Sequence, residues 1–109
     1  MSRLVIIESP YAGDVEANEA YLAACLHDSL TRGEAPFASH GLYTRPGVLD
    51  DTVPTERTHG INAGLAWAER ADATIVYTDR GISTGMEYGI AHAKQHHRPI
   101  EYRTLKETK

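Results

Sequence analysis

The chain has 109 residues, of which 41% are hydrophobic and 24% charged, the composition of an ordinary globular protein. This composition excludes collagen-like, disordered and low-complexity classes, and the length predicts one domain over residues 1–109. The net charge of −4 argues against a nucleic-acid-binding protein, because such proteins need a basic face that neutralises phosphates.

The cysteine content and the hydropathy indicate a compartment. A single cysteine, Cys25, excludes a disulfide framework and a zinc ribbon, and it favours a reducing environment. The first residues lead directly into a strand-like run, and apolar runs are short throughout. We therefore expect a cytoplasmic protein that neither crosses a membrane nor is exported.

Four short strands are predicted. Residues 4–7 and 73–77 are continuous apolar and β-branched runs, which are typical of central strands covered on both faces. Residues 36–39 begin with proline, and residues 100–103 alternate apolar with charged side chains. These two segments suit outer positions of a sheet.

Three helices are predicted between the strands, over residues 15–32, 54–70 and 85–97. In the first, Leu22 and Leu30 fall on one apolar face. Repeated alternation of strand and helix predicts an α/β, Rossmann-like (flavodoxin-like) fold, with a parallel sheet in the order 2-1-3-4 and helices on both faces.

This topology predicts where a ligand binds. In open parallel sheets, ligands lie outside the carboxyl ends of the strands, at the point where the strand order reverses. The loops at that edge are residues 8–14, 39–53 and 78–84. They contain most of the unusual residues of the chain.

The first loop combines a hydroxyl, an aromatic ring, a glycine and a carboxylate. Ser9 can hold phosphate or sugar oxygens, Tyr11 can stack on a base, and Gly13 lets the backbone approach a ligand. Asp14 is a candidate binding residue, with the alternative that it only caps the first helix.

The third loop runs from Asp79 through Gly81 and Ser83 into a helix that carries Glu87 in its first turn. This carboxylate sits at the carboxyl edge of the sheet and is well positioned for chemistry. The alternative is structural, because Thr84 and Glu87 have the spacing of a capping box.

The middle segment, residues 40–52, is longer than the usual connection and is typical of a lid or specificity loop. Its Asp50 and Asp51 can bind a ligand amino group, a sugar hydroxyl or a cation, or simply form a solvated turn. Arg57 is a candidate phosphate partner, with plain solvation as the alternative.

Metal and serine chemistry are not expected. His92 and His96 share a helix face, but no third ligand stands at a fixed spacing and no glutamate follows His92 as in zinc proteases. No G-x-S-x-G elbow surrounds any serine.

Two segments resemble the nucleoside 2-deoxyribosyltransferase-like superfamily, which includes nucleotide N-glycosidases and short phage and bacterial relatives of uncharacterised function. Residues 85–91, G-M-E-Y-G-I-A, are similar to the start of its catalytic helix, where the glutamate is the nucleophile. Residues 7–13 are similar to its loop after the first strand.

The chain departs from that pattern at three positions. Gly81 stands where transferases often carry an acidic residue, and Asp79 lies two residues earlier. Ser83 is a displaced counterpart of the phosphate-binding serine of nucleotide hydrolases. Some short relatives carry their glutamate later in the helix, at the position of Gly89.

The resemblance implies that a glutamate, Glu87 here, attacks the anomeric carbon of a nucleoside or nucleoside 5′-monophosphate, and that water or a second base resolves the glycosyl ester. Asp79 and Tyr11 would assist catalysis. It also implies a homodimer or larger homo-oligomer, with no cofactor. The candidate substrate-binding residues are Ser9, Gly13, Asp14, His40, Asp51, Arg57, Gly81, Ser83, Thr84 and Gly85.

Two hypotheses follow from these residues. The first is an N-glycosidase or deoxyribosyl-transferring enzyme that acts on a nucleoside or its 5′-monophosphate. The alternative is a non-catalytic nucleotide-binding or sensor module in which Glu87 serves only as part of a helix cap.

Overall fold

A computed structural model describes residues 2–105 of the chain. The elements in chain order are β1 (Leu4–Glu8), α1 (Val15–Thr31), β2 (Ala35–Phe37), α2 (Ser39–Leu42), α3 (Pro54–Ala68), β3 (Ala73–Tyr77), α4 (Thr84–Gln95) and β4 (Ile100–Arg103). All neighbouring strands pair in parallel, in the order β2-β1-β3-β4, which confirms the predicted α/β fold. No helix in the described part of the chain is long and apolar enough to span a membrane.

The second strand is shorter than predicted. It pairs with β1 only as far as Phe37, and Ser39 instead begins the one-turn helix α2. A side chain at Gly64 of α3 would overlap the Ser39 side chain, so α2 packs closely on α3 at this glycine. This packing draws Ser39 out of the strand, and local sequence patterns do not encode it.

Helix α1 covers one face of the sheet. Val5 and Ile7 of β1 and Ile75 of β3 are almost fully buried there against Tyr21 and Leu22. The prediction that Leu30 joins this face is wrong, because its side chain is 58% exposed. In the last turn of α1 the fully buried residue is instead Ser29, which donates a hydrogen bond to Glu34.

A buried ionic cluster on Glu34 joins β2 to the far edge of the sheet. Arg103, at the end of β4, donates to both carboxylate oxygens of Glu34 at 2.9 and 2.6 Å, and Arg3 donates a further bond at 2.7 Å. These donors, with Arg103 contributing most, lower the pKa of Glu34 to about 2. A fully hydrogen-bonded ion pair of this kind holds the residue before β2 in a single geometry.

We predict that Glu34→Gln destabilises the protein by about 3 kcal/mol at pH 7, because it removes the buried carboxylate of the pair and leaves the Arg103 guanidinium with only the more exposed Glu101 as a counter-charge. The Glu34 pKa is lower in the folded chain than in the unfolded chain. The contribution of Glu34 to the free energy of unfolding is therefore complete above about pH 5, and it disappears as the pH falls towards 2. Urea unfolding at pH 7 and pH 3 measures this, with the exposed Glu19→Gln as control. Equal stability of Glu34→Gln and the wild type at pH 7 would contradict the prediction.

Candidate functional site

A cavity of about 290 Å³ lies between the sheet and helices α3 and α4. Side chains alternate along β1, so Ile6 and Glu8 face this cavity while Val5 and Ile7 face α1. Its volume is at the lower end of the range for small-molecule sites, about 300–1,000 Å³. The walls are mainly apolar and include Phe37, Leu49, Ile61, Leu65, Ala68 and Met86.

Glu8, at the end of β1, contributes a carboxyl group to the cavity lining. Its side chain fills the space beside Gly89 of α4, where any β-carbon would overlap the carboxyl group. Burial raises the pKa of Glu8 to about 8, and the charge of Arg98 opposes that rise only in part. The Glu8 carboxyl is therefore mostly protonated at neutral pH.

Arg98 lies at the inner end of the cavity. Arg98 is 8% exposed, and its guanidinium donates to Thr74 Oγ1 at 2.9 Å and to the Ala68 carbonyl at 2.9 Å. It also lies 3.0 Å from Nδ1 of His92, which accepts a third bond when the imidazole is neutral. These contacts hold the guanidinium rigidly on the sheet.

Ser9 and His40 form a hydrogen-bonded pair in the cavity wall. Ser9 Oγ and His40 Nε2 are 2.8 Å apart, and Ser9 is 4% exposed. Burial lowers the pKa of His40 to about 4, so the imidazole is neutral near pH 7. The pair consequently offers both a donor and an acceptor to a ligand without adding charge.

Arg57 and Asp51 form an ion pair at the outer end of the cavity. Arg57 Nη1 lies 2.9 Å from the Asp51 carboxylate. The other terminal nitrogen, Nη2, lies 3.6 Å from the point that a β-carbon on Gly85 would occupy. The guanidinium therefore lies over the first turn of α4.

The cap of α4 differs from the predicted capping box. Ser83, not Thr84, is the N-cap, and its Oγ accepts from the Met86 backbone N–H at 3.3 Å. Met86 Sδ in turn accepts from the Ser83 N–H, so Glu87 takes no part in the box. The predicted N-cap is one residue too late in the sequence. The extended backbone conformation that an N-cap adopts occurs at Ser83, which directly precedes Thr84.

The structure brings many predicted site residues together and leaves others outside the cavity. Glu87 is exposed on α4 and does not line the cavity. Asp79 faces α1 instead, where it accepts from the Tyr21 hydroxyl at 2.8 Å and from the Leu105 N–H. The predicted residues that line the cavity are Ser9, Tyr11, His40, Asp51, Arg57, Ser83, Thr84 and Gly85.

Two more predicted residues have roles in the backbone. Asp14 is the N-cap of α1 and accepts from the Ala17 N–H at 3.2 Å, so it does cap this helix, and its role in ligand binding stays a prediction. Gly81 adopts a φ of 80° in the turn before α4 and lies outside the cavity. Gly13, with a φ of 99°, lines a wider depression of about 750 Å³ that adjoins the cavity and shares Asp51 and Arg57 with it.

Sequence reasoning missed Glu8, Gly89 and Arg98 as site residues. Glu8 carried a usable signal, since it is the one charged residue at the end of an otherwise apolar strand. Arg98 carried none, because its position beneath the cavity depends on the turn between α4 and β4. Among residues 2–105, no three histidine, cysteine or acidic side chains converge as they would around a metal ion.

One family model matches residues 3–103, and it describes a domain of unknown function, DUF7768. The chain belongs to the DUF7768 family. No curated protein matches this chain. The match covers the whole sheet and every cavity-lining residue named above, so the site lies within the DUF7768 domain.

We predict that Glu8→Gln stabilises this DUF7768 protein at alkaline pH. Between its ordinary pKa of 4.5 and about 8, Glu8 is ionised in the unfolded chain and protonated in the folded one, so folding is penalised as the pH rises. The variant should gain roughly 4 kcal/mol at pH 8 and almost nothing at pH 4. Urea unfolding at both values measures this, and a loss of stability at pH 8 would show that the Glu8 carboxyl is not in the environment described.

Proposed function

We propose that the protein is an N-glycosidase or (deoxy)ribosyl-transferring enzyme that acts on a nucleoside or nucleoside 5′-monophosphate, with Glu8 as its catalytic carboxyl. The observation that carries this proposal is the Glu8 carboxyl, which lines the cavity in the space left open by Gly89. The superfamily resembled by residues 85–91 uses a helix glutamate. In this protein the carboxyl of Glu8, on strand β1, lies against the corresponding helix, α4, at Gly89.

The chemical state of Glu8 suits the departure of a base. A nucleobase is a poor leaving group unless it is protonated, and a carboxylic acid in an apolar site can donate that proton near neutral pH. Burial raises the pKa of Glu8 to about 8, so the donating form predominates at pH 7. We therefore assign Glu8 the role of general acid, rather than the nucleophilic role that the resemblance implied for Glu87.

The distribution of polar groups supports a nucleoside oriented with its base inward. The inner part of the cavity is bounded by Ile6, Leu65 and Met86, which suit a planar ring. The outer part contains the Ser9–His40 pair, which can exchange hydrogen bonds with sugar hydroxyls. In this orientation the glycosidic bond would lie beside the Glu8 carboxyl, which lines the same cavity.

The proposed reaction conserves atoms and charge. The bond between the anomeric carbon and the base nitrogen breaks, its electron pair goes to the base, and Glu8 transfers a proton to the base. Water adds to the oxocarbenium-like carbon, and the Asp51 carboxylate accepts the proton that the water releases. Asp51 then loses this proton to solvent and Glu8 takes one up, which restores both groups for the next cycle. In a transferase, a second base replaces the water.

A non-catalytic nucleotide-binding module is the second candidate function. The exposure of Glu87 favours it, because the glutamate expected from the resemblance cannot reach a ligand in the cavity. In that case Glu8 would only line the ligand site. The two candidates differ in whether any base is released.

The test is incubation of the protein with a panel of nucleosides and 5′-monophosphates, with free base measured by chromatography. We expect Glu8→Gln to lower base release by at least ~100-fold, since general acid catalysis contributes about 10²–10⁴-fold. Glu87→Gln should retain wild-type rates, and Glu19→Gln on α1 serves as a control for a change of one surface charge.

Each alternative result has a clear meaning. Loss of activity in Glu87→Gln and not in Glu8→Gln would show that the carboxyl assignment is wrong. Ligand-induced thermal shifts without any base release would favour the binding module. The absence of both release and binding would exclude both functions.

The pH dependence of kcat/KM gives a separate prediction. Glu8 donates a proton only below its pKa of about 8, so kcat/KM should be level from pH 6 to 7.5 and fall about tenfold per unit above pH 8. Circular dichroism over the same range checks that the protein stays folded. A rate that rises towards pH 8 would contradict the acid role and indicate an ionised Glu8 nucleophile.

A further inference from the structure

Arg98 defines the inner end of the cavity at a definite height below Glu8. It donates to Thr74 on β3, and Thr74 stands opposite Ile6, two residues before Glu8 on β1. Two residues of a strand span about 6.6 Å. Arg98 is therefore anchored about two strand residues nearer the amino ends of the strands than the Glu8 backbone, on the side of the cavity away from the loops.

The guanidinium has hydrogen-bonding capacity left for a ligand. An arginine side chain has five N–H donors and no acceptor. In Arg98 three of them are directed to Thr74, the Ala68 carbonyl and His92. Arg98 also lines the cavity although it is only 8% exposed, so its two remaining donors are the ones that a ligand in the cavity could use.

The walls around Arg98 offer a ligand little else to bond with. Ile6, Ile61, Leu65 and Met86 are apolar. An oxygen on a ligand ring that points towards Arg98 can accept a hydrogen bond from its guanidinium. An inward-pointing N–H would face donors and lose its hydrogen bonds to water, which is costly in a buried site.

We propose that the cavity selects nucleosides by the substituent on the base that lies farthest from the glycosidic bond, at C4 of a pyrimidine or C6 of a purine. Bases with a carbonyl oxygen at this distal position, such as uracil, thymine, hypoxanthine and guanine, bind better than bases with an amino group there, such as cytosine and adenine. The oxo group accepts a hydrogen bond and the amino group donates one, and Arg98 can serve only the former. This inference rests on the proposed function and names the base class of its substrate.

Matched nucleoside pairs test the proposal directly with the wild-type protein. Uridine and cytidine differ at the distal position by oxo against amino, and so do inosine and adenosine. Dissociation constants from calorimetry or ligand-observed NMR should favour the oxo member of each pair by at least ~tenfold. Equal affinity, or tighter binding of the amino member, would overturn the inference and leave the proposed function standing. No binding of any nucleoside would overturn both.

A substitution assigns the selectivity to Arg98. The amide of Arg98→Gln can both donate and accept, so we expect it to reduce the preference within each pair to less than about threefold. The exposed Arg70→Gln removes the same charge and should keep the wild-type preference. A folded Arg98→Gln protein that keeps the full preference would contradict the role of Arg98. Should that variant fail to fold, the wild-type pairs still decide the base class.

Discussion

The site depends on one steric relation: the Glu8 side chain occupies the space that a side chain at position 89 would need, and position 89 is a glycine. A carboxyl group can lie within the sheet-to-helix layer only because the facing helix position has no side chain. The described residues offer this carboxyl no hydrogen bond, and burial keeps it protonated at neutral pH. Burial of the Glu8 carboxyl therefore has two effects: it lowers the stability of the folded protein at alkaline pH, and it keeps the carboxyl in the protonated form that the proposed general acid requires.

The two faces of the sheet divide the work of stability and binding. On the face covered by α1, Val5, Ile7 and Ile75 are packed without room for a ligand, and the Glu34–Arg103 pair ties the sheet edges together. On the opposite face, α3 and α4 leave a cavity open above Ile6. The closely packed α1 face already buries much apolar surface and holds the sheet rigid. The sheet can therefore keep an empty cavity on its other face.

Charge in the cavity is arranged from its outer to its inner end. The Arg57–Asp51 pair is at the outer end, the neutral Ser9–His40 pair lies in the wall, and Arg98 is at the inner end. Each ion or polar pair is satisfied within the protein, yet each retains donors or acceptors for a ligand. This arrangement is compatible with the proposed nucleoside or nucleoside 5′-monophosphate, whose polar groups are spread along its length.

The sequence by itself determined the parallel sheet, its 2-1-3-4 order and the loops at its carboxyl edge, because apolar runs, helical periodicity and crossover handedness are local or general properties. It also indicated Ser9, Asp51 and Arg57, which follow directly from that edge. Only the tertiary structure decided which carboxyl enters the cavity. The choice between Glu8 and Glu87 depends on which side of α4 faces β1 and on the space at Gly89, and such contacts between distant segments leave no pattern in the local sequence.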